Sequence, residues 1–268
     1  MEDPRFQLPD PSLEPHYKAV VSAPFAALRR QPSRAQPIDT ELLYGQGFDV
    51  YSEQGPWAFG RLSSLIEGKK SRPLYIGYLP RRALSQDVFN PSHKISVVSA
   101  PVFSRADIKA PLKTALPMNA KVMSEKTTGD FIHVVRLGYI HKEHVLELGE
   151  NRGEDFVDVA GRFIGQPYIW GGTGGVGVDC SGLLQMSLAA CEADAPRDAD
   201  MQEKHLGKLA DLEALQRGDL IFWPGHVGIM ETETRLLHAN AYHMCTAREP
   251  LKKAIQRIGP PRSVKRLG

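Results

Sequence analysis

The stretch YIWGGTGGVGVDCSGLLQMSL, residues 168–188, decides how the second half of this 268-residue chain is read. Gly172, Gly174 and Gly177 satisfy the spacing G-x-G-x-x-G. A dinucleotide fingerprint also needs a strand feeding the first glycine, a helix opening at the motif and an acid about 20 residues further on. Here only Tyr168, Ile169 and Trp170 precede the glycines, and Glu192 and Asp194, the acids at that distance, fall at the end of the next helix. The glycines therefore read as a loop whose backbone folds tightly. The residues after the loop carry the chemistry. Asp179 is a good N-cap, which sets Cys180 in the first turn of a helix formed by SGLLQMSLAACEA. Unsatisfied N–H groups and the positive end of the dipole favour an anion there. A thiolate is the anion on offer, so a depressed thiol pKa is expected at Cys180.

A thiolate nucleophile needs a base close in space. His226 stands in GDLIFWPGHVGIM, at the start of an apolar strand and just after a Pro-Gly break. His238, twelve residues on in RLLHANAY, lies at hairpin distance for a neighbouring strand. A second imidazole there can hold the first in one tautomer and orientation, the third role of a triad. Cys191 and Cys245 read as small buried residues. Cys191 is roughly 16 Å along the helix from Cys180, at about 1.5 Å per residue, too far for a shared metal or a disulfide.

Working outward, FVDVAGRFI predicts a helix ending near Gly165, LEALQRGDLIFW runs into a strand, HVGIMET and RLLHANAY read as further strands, and LKKAIQRI as a late helix. Helix first and strands after, without alternation, argues for an α+β domain. The amino-terminal half differs. VVSAP occurs at Val20–Pro24 and again at Val97–Pro101, and each copy is followed by a glycine-tyrosine element, GYLPRRAL from Gly77 and GYIHKEHV from Gly138. Short alternating runs broken by Gly, Pro and Ser surround both, which fits two small all-β barrels from a duplicated module. The first copy is 16 residues longer, and a functional loop is expected in the surplus. The expected organisation is an extended arm over 1–16, a first barrel over 17–85, a second over 95–149 and an α+β domain over 152–268.

With 33 basic against 31 acidic residues the net charge of +2 gives no electrostatic case for nucleic acid or an anionic membrane. No apolar run is long enough to span a bilayer, and the acidic, proline-rich start lacks a secretory pattern. Three cysteines without metal-ligand spacing add to the expectation of a reduced, cytoplasmic setting with no metal and no cofactor.

Residues Tyr168 to Ile229 resemble the NlpC-type cell-wall cysteine peptidases through YIWGG, DCSGLLQ, PRDADMQ, GDLIFWPGHVGIM and, just beyond, HAN. The resemblance implies a papain-like fold. TELLYGQ and WAFGRL extend it over the first barrel, to the γ-D-glutamyl-diamino acid peptidases that carry two bacterial Src-homology-3-like domains before the catalytic one. The implied fold is therefore multidomain: two small all-β Src-homology-3-like barrels followed by an α+β papain-like domain. Carried over by position, Cys180 is the nucleophile, His226 the base and His238 the orienting residue. Tyr168 would lend its hydroxyl to the oxyanion, Asp179 would face the free amine of the substrate's L-alanine, and Ser181 would touch the substrate backbone. Glu41 and Tyr75 are the candidates for an acid and a tyrosine that reach over the cleft from the first barrel. Arg197 would read a substrate carboxylate or serve a structural ion pair. Ala199 departs from the pattern, standing where relatives often carry a hydroxyl.

The implied substrates are the murein tripeptide L-Ala-γ-D-Glu-diaminopimelate (or L-Lys) and longer free stem peptides, cleaved by a monomer. A thiol-dependent amidase or acyltransferase, and a non-catalytic wall-binding protein, are the alternatives. Other motifs read as structure. His141 and His144 lack a third ligand, Arg217-Gly218-Asp219 leads into a buried strand as a turn, and the closing KRLG is a basic tail without a role.

Overall fold

The computed structural model describes residues 3–63, 74–153 and 155–268, and the chain divides into two compact units, Met1–Leu148 and Gly149–Gly268. In the first unit, strands from 17 to 85 form a five-stranded antiparallel sheet, in the order Ile76–Pro80, Trp57–Ser63, Gly47–Gln54, Tyr17–Val21, Leu84–Ser85, beside the two-stranded pair Phe25–Leu28 and Thr40–Leu43. Strands from 93 to 147 repeat the scheme with a five-stranded and a three-stranded sheet. The sequence echo has a structural cause. In both copies VVSAP lies where one strand gives way to the next, and the glycine-tyrosine strand is followed by a single 3-10 turn, Arg81–Ala83 or Lys142–His144. A short strand then pairs back onto the opening one, Leu84 on Val21 and Val145 on Ile95. The two glycines meet the same kind of neighbour. A Cβ on Gly77 would lie 2.6 Å from the Arg29 carbonyl oxygen, and one on Gly138 would lie 2.3 Å from that of Phe103. Only glycine lets the backbones approach so closely.

The arm does more than extend. Leu8 is buried with Tyr51 and Ile76, and the Ile76 N–H donates to the Arg5 carbonyl at 3.0 Å. Of the surplus in the first copy, one part is the 29–39 loop between the paired strands and another, 64–73, lies outside the described residues.

The second unit is α+β. Its six-stranded antiparallel sheet runs Lys208–Leu209, Ser263–Arg266, Leu220–Trp223, His226–Met230, Arg235–Asn240, Cys245–Pro250. Among the described residues four α-helices accompany it: α1 (Phe156–Gly161), α2 (Cys180–Ala190), α3 (Ala199–His205) and α4 (Leu251–Ile258). Helix α2 is buried on nearly every side, from Leu183, Leu184 and Leu188 to Ser187, as befits a helix enclosed by its domain. It ends in a Schellman motif: Glu192 takes φ 60°, and the Ala193 N–H reaches the Leu188 carbonyl at 2.9 Å. A core of Ile221, Trp223, Met230, Leu236, Leu251, Ala254 and Val264 joins the sheet to α4.

Two expectations fail here. Helix α1 stops at Gly161, four residues short, because Gly165 turns away to give its N–H to the Thr246 carbonyl at 2.9 Å. The closing basic segment is a strand, Ser263–Arg266, and Arg266 donates twice at 2.7 Å to the fully buried carboxylate of Asp219. Nothing in its local composition announces that partner. Among the described residues, no helix is long and apolar enough to cross a membrane.

Candidate active site

The glycine-rich loop folds around the start of α2. A Cβ on Gly182 would lie 2.2 Å from the Gly172 carbonyl oxygen, and one on Gly172 would lie 2.6 Å from that of Gly177. The loop is tight because helix and loop backbones touch. Asp179 then ties the two together. Its Oδ1 accepts from the Gly182 N–H at 2.6 Å, the N-cap bond, and from the Ser181 hydroxyl at 3.1 Å, while Oδ2 accepts from the Gly171 N–H at 2.9 Å. Arg197 adds a fork, Nη1 to Oδ1 at 2.9 Å and Nη2 to Oδ2 at 2.7 Å, and its Nη1 also reaches the Ser181 hydroxyl at 3.0 Å. Asp179, Ser181 and Arg197 are all buried. A substrate ammonium at Asp179 would have to share an oxygen with these donors, since a carboxylate offers about four lone-pair sites. Helix α3, which the sequence did not signal, holds the outer side: Gln202 donates to the carbonyls of Ser181 and Pro196 at 2.9 and 2.8 Å.

Cys180 occupies the first position of α2, 7 % exposed, with its thiol directed at the Gly225 carbonyl at 4.0 Å. Burial, with the negative Asp179 beside it, pushes the thiol up to about 11, against the pull of the Val227 and Ser181 N–H groups and of Arg197. This corrects the expectation of a resting thiolate. The helix dipole and two amides act on the sulfur, but the loss of water outweighs them. The resting group is a thiol.

His226 opens its strand directly after the two-residue Pro224-Gly225 turn, where Gly225 takes φ 72°. Its Nε2 lies 2.9 Å from His238 Nδ1 on the adjacent strand. His238 Nε2 lies 2.8 Å from Glu249 Oε1, and Glu249 is in turn ion-paired with Arg257 on α4. Burial pulls His226 down to about 3 and His238 to about 4. Both rings therefore rest neutral at pH 7, and a neutral imidazole is what a base beside a thiol requires. Glu249 and Arg257 were not among the residues singled out in the sequence. The antiparallel register pairs His238 with Ala247, which sets Glu249 two positions along on the same face, within diagonal reach.

Similarity to known proteins is most specific in this unit. The NlpC/P60 family model matches residues 165–258, and a bacterial dipeptidyl-peptidase SH3 domain matches residues 28–64. The second unit is an NlpC/P60 domain. The chain is 28 % identical over 220 residues to a γ-D-glutamyl-L-lysine dipeptidyl-peptidase of Bacillus subtilis (strain 168), covering 75 % of this chain and 72 % of that protein. It is 28 % identical over 243 residues to dipeptidyl-peptidase 6 of Lysinibacillus sphaericus, covering 83 % of this chain and 87 % of that one. An NlpC/P60 family protein from Bacillus cereus ATCC 10987, known by crystal structure, shares the fold with a TM-score of 0.77 at 20 % identity, over 93 % of this chain and 99 % of that one.

Within the NlpC/P60 domain, Tyr168 hydrogen-bonds through its N–H to the Met244 carbonyl at 2.9 Å. Burial raises its phenol, as do Cys180 and Asp179 when ionised, so the hydroxyl stays a donor. The side chains of His238, His243 and Glu249 offer ligand atoms within 4.8 Å of one another, the one such trio among the described residues. Both oxygens of Glu249 already face the Arg257 guanidinium, which opposes a cation there. Glu41 and Tyr75 belong to the first unit, where both are buried and the Tyr75 ring meets Phe6 edge-on at 4.9 Å. Ala199 opens α3 and is buried.

Proposed function

We propose that the chain is a cysteine peptidase that hydrolyses the γ-D-glutamyl to diamino acid bond of murein peptides with a free amino-terminal L-alanine. One observation carries the chemistry. Cys180 opens a helix beside the turn that presents His226, and His226 is backed by His238. The two long curated relatives, with their coverage of both domain types, support the substrate class. In the proposed reaction, His226 takes the thiol proton as Cys180 attacks the γ-carbonyl. The tetrahedral oxyanion is met by the Cys180 N–H and the Tyr168 hydroxyl. His226 then gives the proton to the leaving amine, and the C–N bond breaks to leave a thioester. Water, deprotonated by His226, attacks the thioester; the carboxylic acid leaves and the thiol is restored. The proposed setting is the cytoplasmic recycling of free wall peptides.

The test is mass spectrometry of L-Ala-γ-D-Glu-diaminopimelate, its L-lysine analogue and their amino-acetylated forms after digestion. The expected products are L-Ala-γ-D-Glu and the free diamino acid, from the unacetylated peptides only. Cys180→Ala should lose roughly 10⁴-fold or more in rate, as a covalent nucleophile does. Equal hydrolysis by Cys180→Ala, or none by the native chain, overturns the reading. Equal cleavage of the acetylated peptide overturns the free-amine requirement.

A further inference from the structure

The groups behind His226 form a line whose proton inventory has one solution. Arg257 donates to both oxygens of Glu249, Nη1 to Oε2 at 3.0 Å and Nη2 to Oε1. Burial alone would raise the Glu249 carboxyl, but the hydrogen bonds from Arg257 and His238 bring it below its ordinary 4.5. An ionised carboxylate only accepts, so His238 donates to it from Nε2 across 2.8 Å. A neutral imidazole carries a single N–H. His238 Nδ1 must then accept, and His226 Nε2 donates to it across 2.9 Å. The lone pair of His226 is left on Nδ1.

We propose that Glu249 and Arg257 are positioning residues for the thiol chemistry: they lock His238, and through it His226, in the tautomers that keep the His226 Nδ1 lone pair free for the Cys180 proton. The inference rests on the reading of Cys180 and His226 as nucleophile and base. Arg257 is itself held from outside, its Cζ 4.1 Å from the ring centroid of the exposed Tyr242. The charged and titratable groups bearing on the two rings are Glu249, Arg257, Asp179 and His243, besides the rings themselves. Glu249 alone favours the charged form of both rings; Asp179 favours that of His226, and Arg257 disfavours both. The carboxylate therefore does two things: it selects the tautomer before reaction and steadies the imidazolium that forms during it. Removing it should leave substrate binding intact and weaken the base.

The isosteric Glu249→Gln in the full chain separates this role from mere packing. A glutamine can offer either an acceptor or a donor to His238, so both tautomers become available, and the imidazolium loses its facing charge. The expected result is a kcat roughly 10- to 100-fold lower with KM unchanged within about twofold, a partial loss of general-base function. The substrate-independent readout is alkylation of Cys180 by iodoacetamide across pH. It should slow by a similar factor near neutral pH, with its midpoint moved to higher pH because less imidazolium–thiolate pair is present. Arg257→Lys, which keeps the charge, should stay within about threefold of the native chain in both assays, and Arg257→Met should fall to the Glu249→Gln level. Native kcat and a native alkylation profile in Glu249→Gln overturn the proposal. If that variant does not fold, equal behaviour of Arg257→Met and the native chain overturns it in the same way. Failure of the native chain to cleave the tripeptide sinks the functional reading instead, and the alkylation profile still decides the relay.

Discussion

Replacing Arg197 by methionine keeps much of the side chain's bulk and removes every donor. The bonds lost include two into Asp179 at 2.9 and 2.7 Å, one to the Ser181 hydroxyl at 3.0 Å and one to the Gly172 carbonyl at 3.3 Å. The side chains of the pair are only 5 % and 10 % exposed, so water cannot take over for the lost guanidinium. Breaking a buried ion pair from one side costs about 3–5 kcal/mol, because the other charge is left uncompensated. Asp179 keeps the Gly171 and Gly182 N–H groups, which argues for the lower end, about 3 kcal/mol. The second unit has 268 − 148 = 120 residues. At about 2.1 cal/mol/K per residue its unfolding entropy is near 0.25 kcal/mol/K, so the loss should lower its Tm by about 12 °C. Thiol labelling during a thermal ramp of the full chain reports on this unit alone, since Cys180, Cys191 and Cys245 all lie in it. Asp179→Asn combined with Arg197→Met removes both charges and should recover about 2 kcal/mol relative to the sum of the single changes. A drop below about 4 °C for Arg197→Met, with simple additivity in the double variant, would refute the account of this pair as desolvated and mutually dependent.

Two further outcomes are expected at the same site. Gly182→Ala, which in an ordinary helix interior gains about 1 kcal/mol, should instead cost about 1–3 kcal/mol, because its Cβ would lie 2.2 Å from the Gly172 carbonyl oxygen; a stabilised variant in the same labelling assay contradicts that contact. Acid should weaken the second unit early. The folded pKa values of His226 and His238, about 3 and about 4, lie below the ordinary 6.5. The unfolded chain thus binds protons that the folded one refuses. The stability contributed by the two neutral rings is fully present above about pH 6.5 and declines as pH falls toward 4, by up to about 1.4 kcal/mol per pH unit for each ring. Glu249, held below 4.5, adds a loss in the same direction only at lower pH. Urea unfolding at pH 7, 6 and 5 should show the decline, with a shallower slope in His226→Asn; a flat profile is the failing result.

Local spans were legible in the sequence and distant ones were not. Asp179 capping the Gly182 N–H is a contact three residues long, so the cysteine at a helix start could be read from DCSG alone. The paired glycine-tyrosine elements marked two copies of one β module, because each glycine answers a close approach that only that residue type permits. His226 and His238 stood out as a turn and a strand at hairpin spacing. The protonation of Cys180 was misread because a dipole is a property of the helix, whereas the water excluded from the sulfur is a property of everything packed over it. Glu249 and Arg257 became visible only once the strand register and the docking of α4 placed them behind His238. Arg197 reaches Asp179 across 18 positions, and Arg266 reaches Asp219 across 47. By itself the sequence determined which backbone turns and caps could form, since those depend on neighbours a few residues apart. The tertiary structure decided which charges are buried together and which protons stay on, since burial and strand pairing are set by residues the chain brings in from far away.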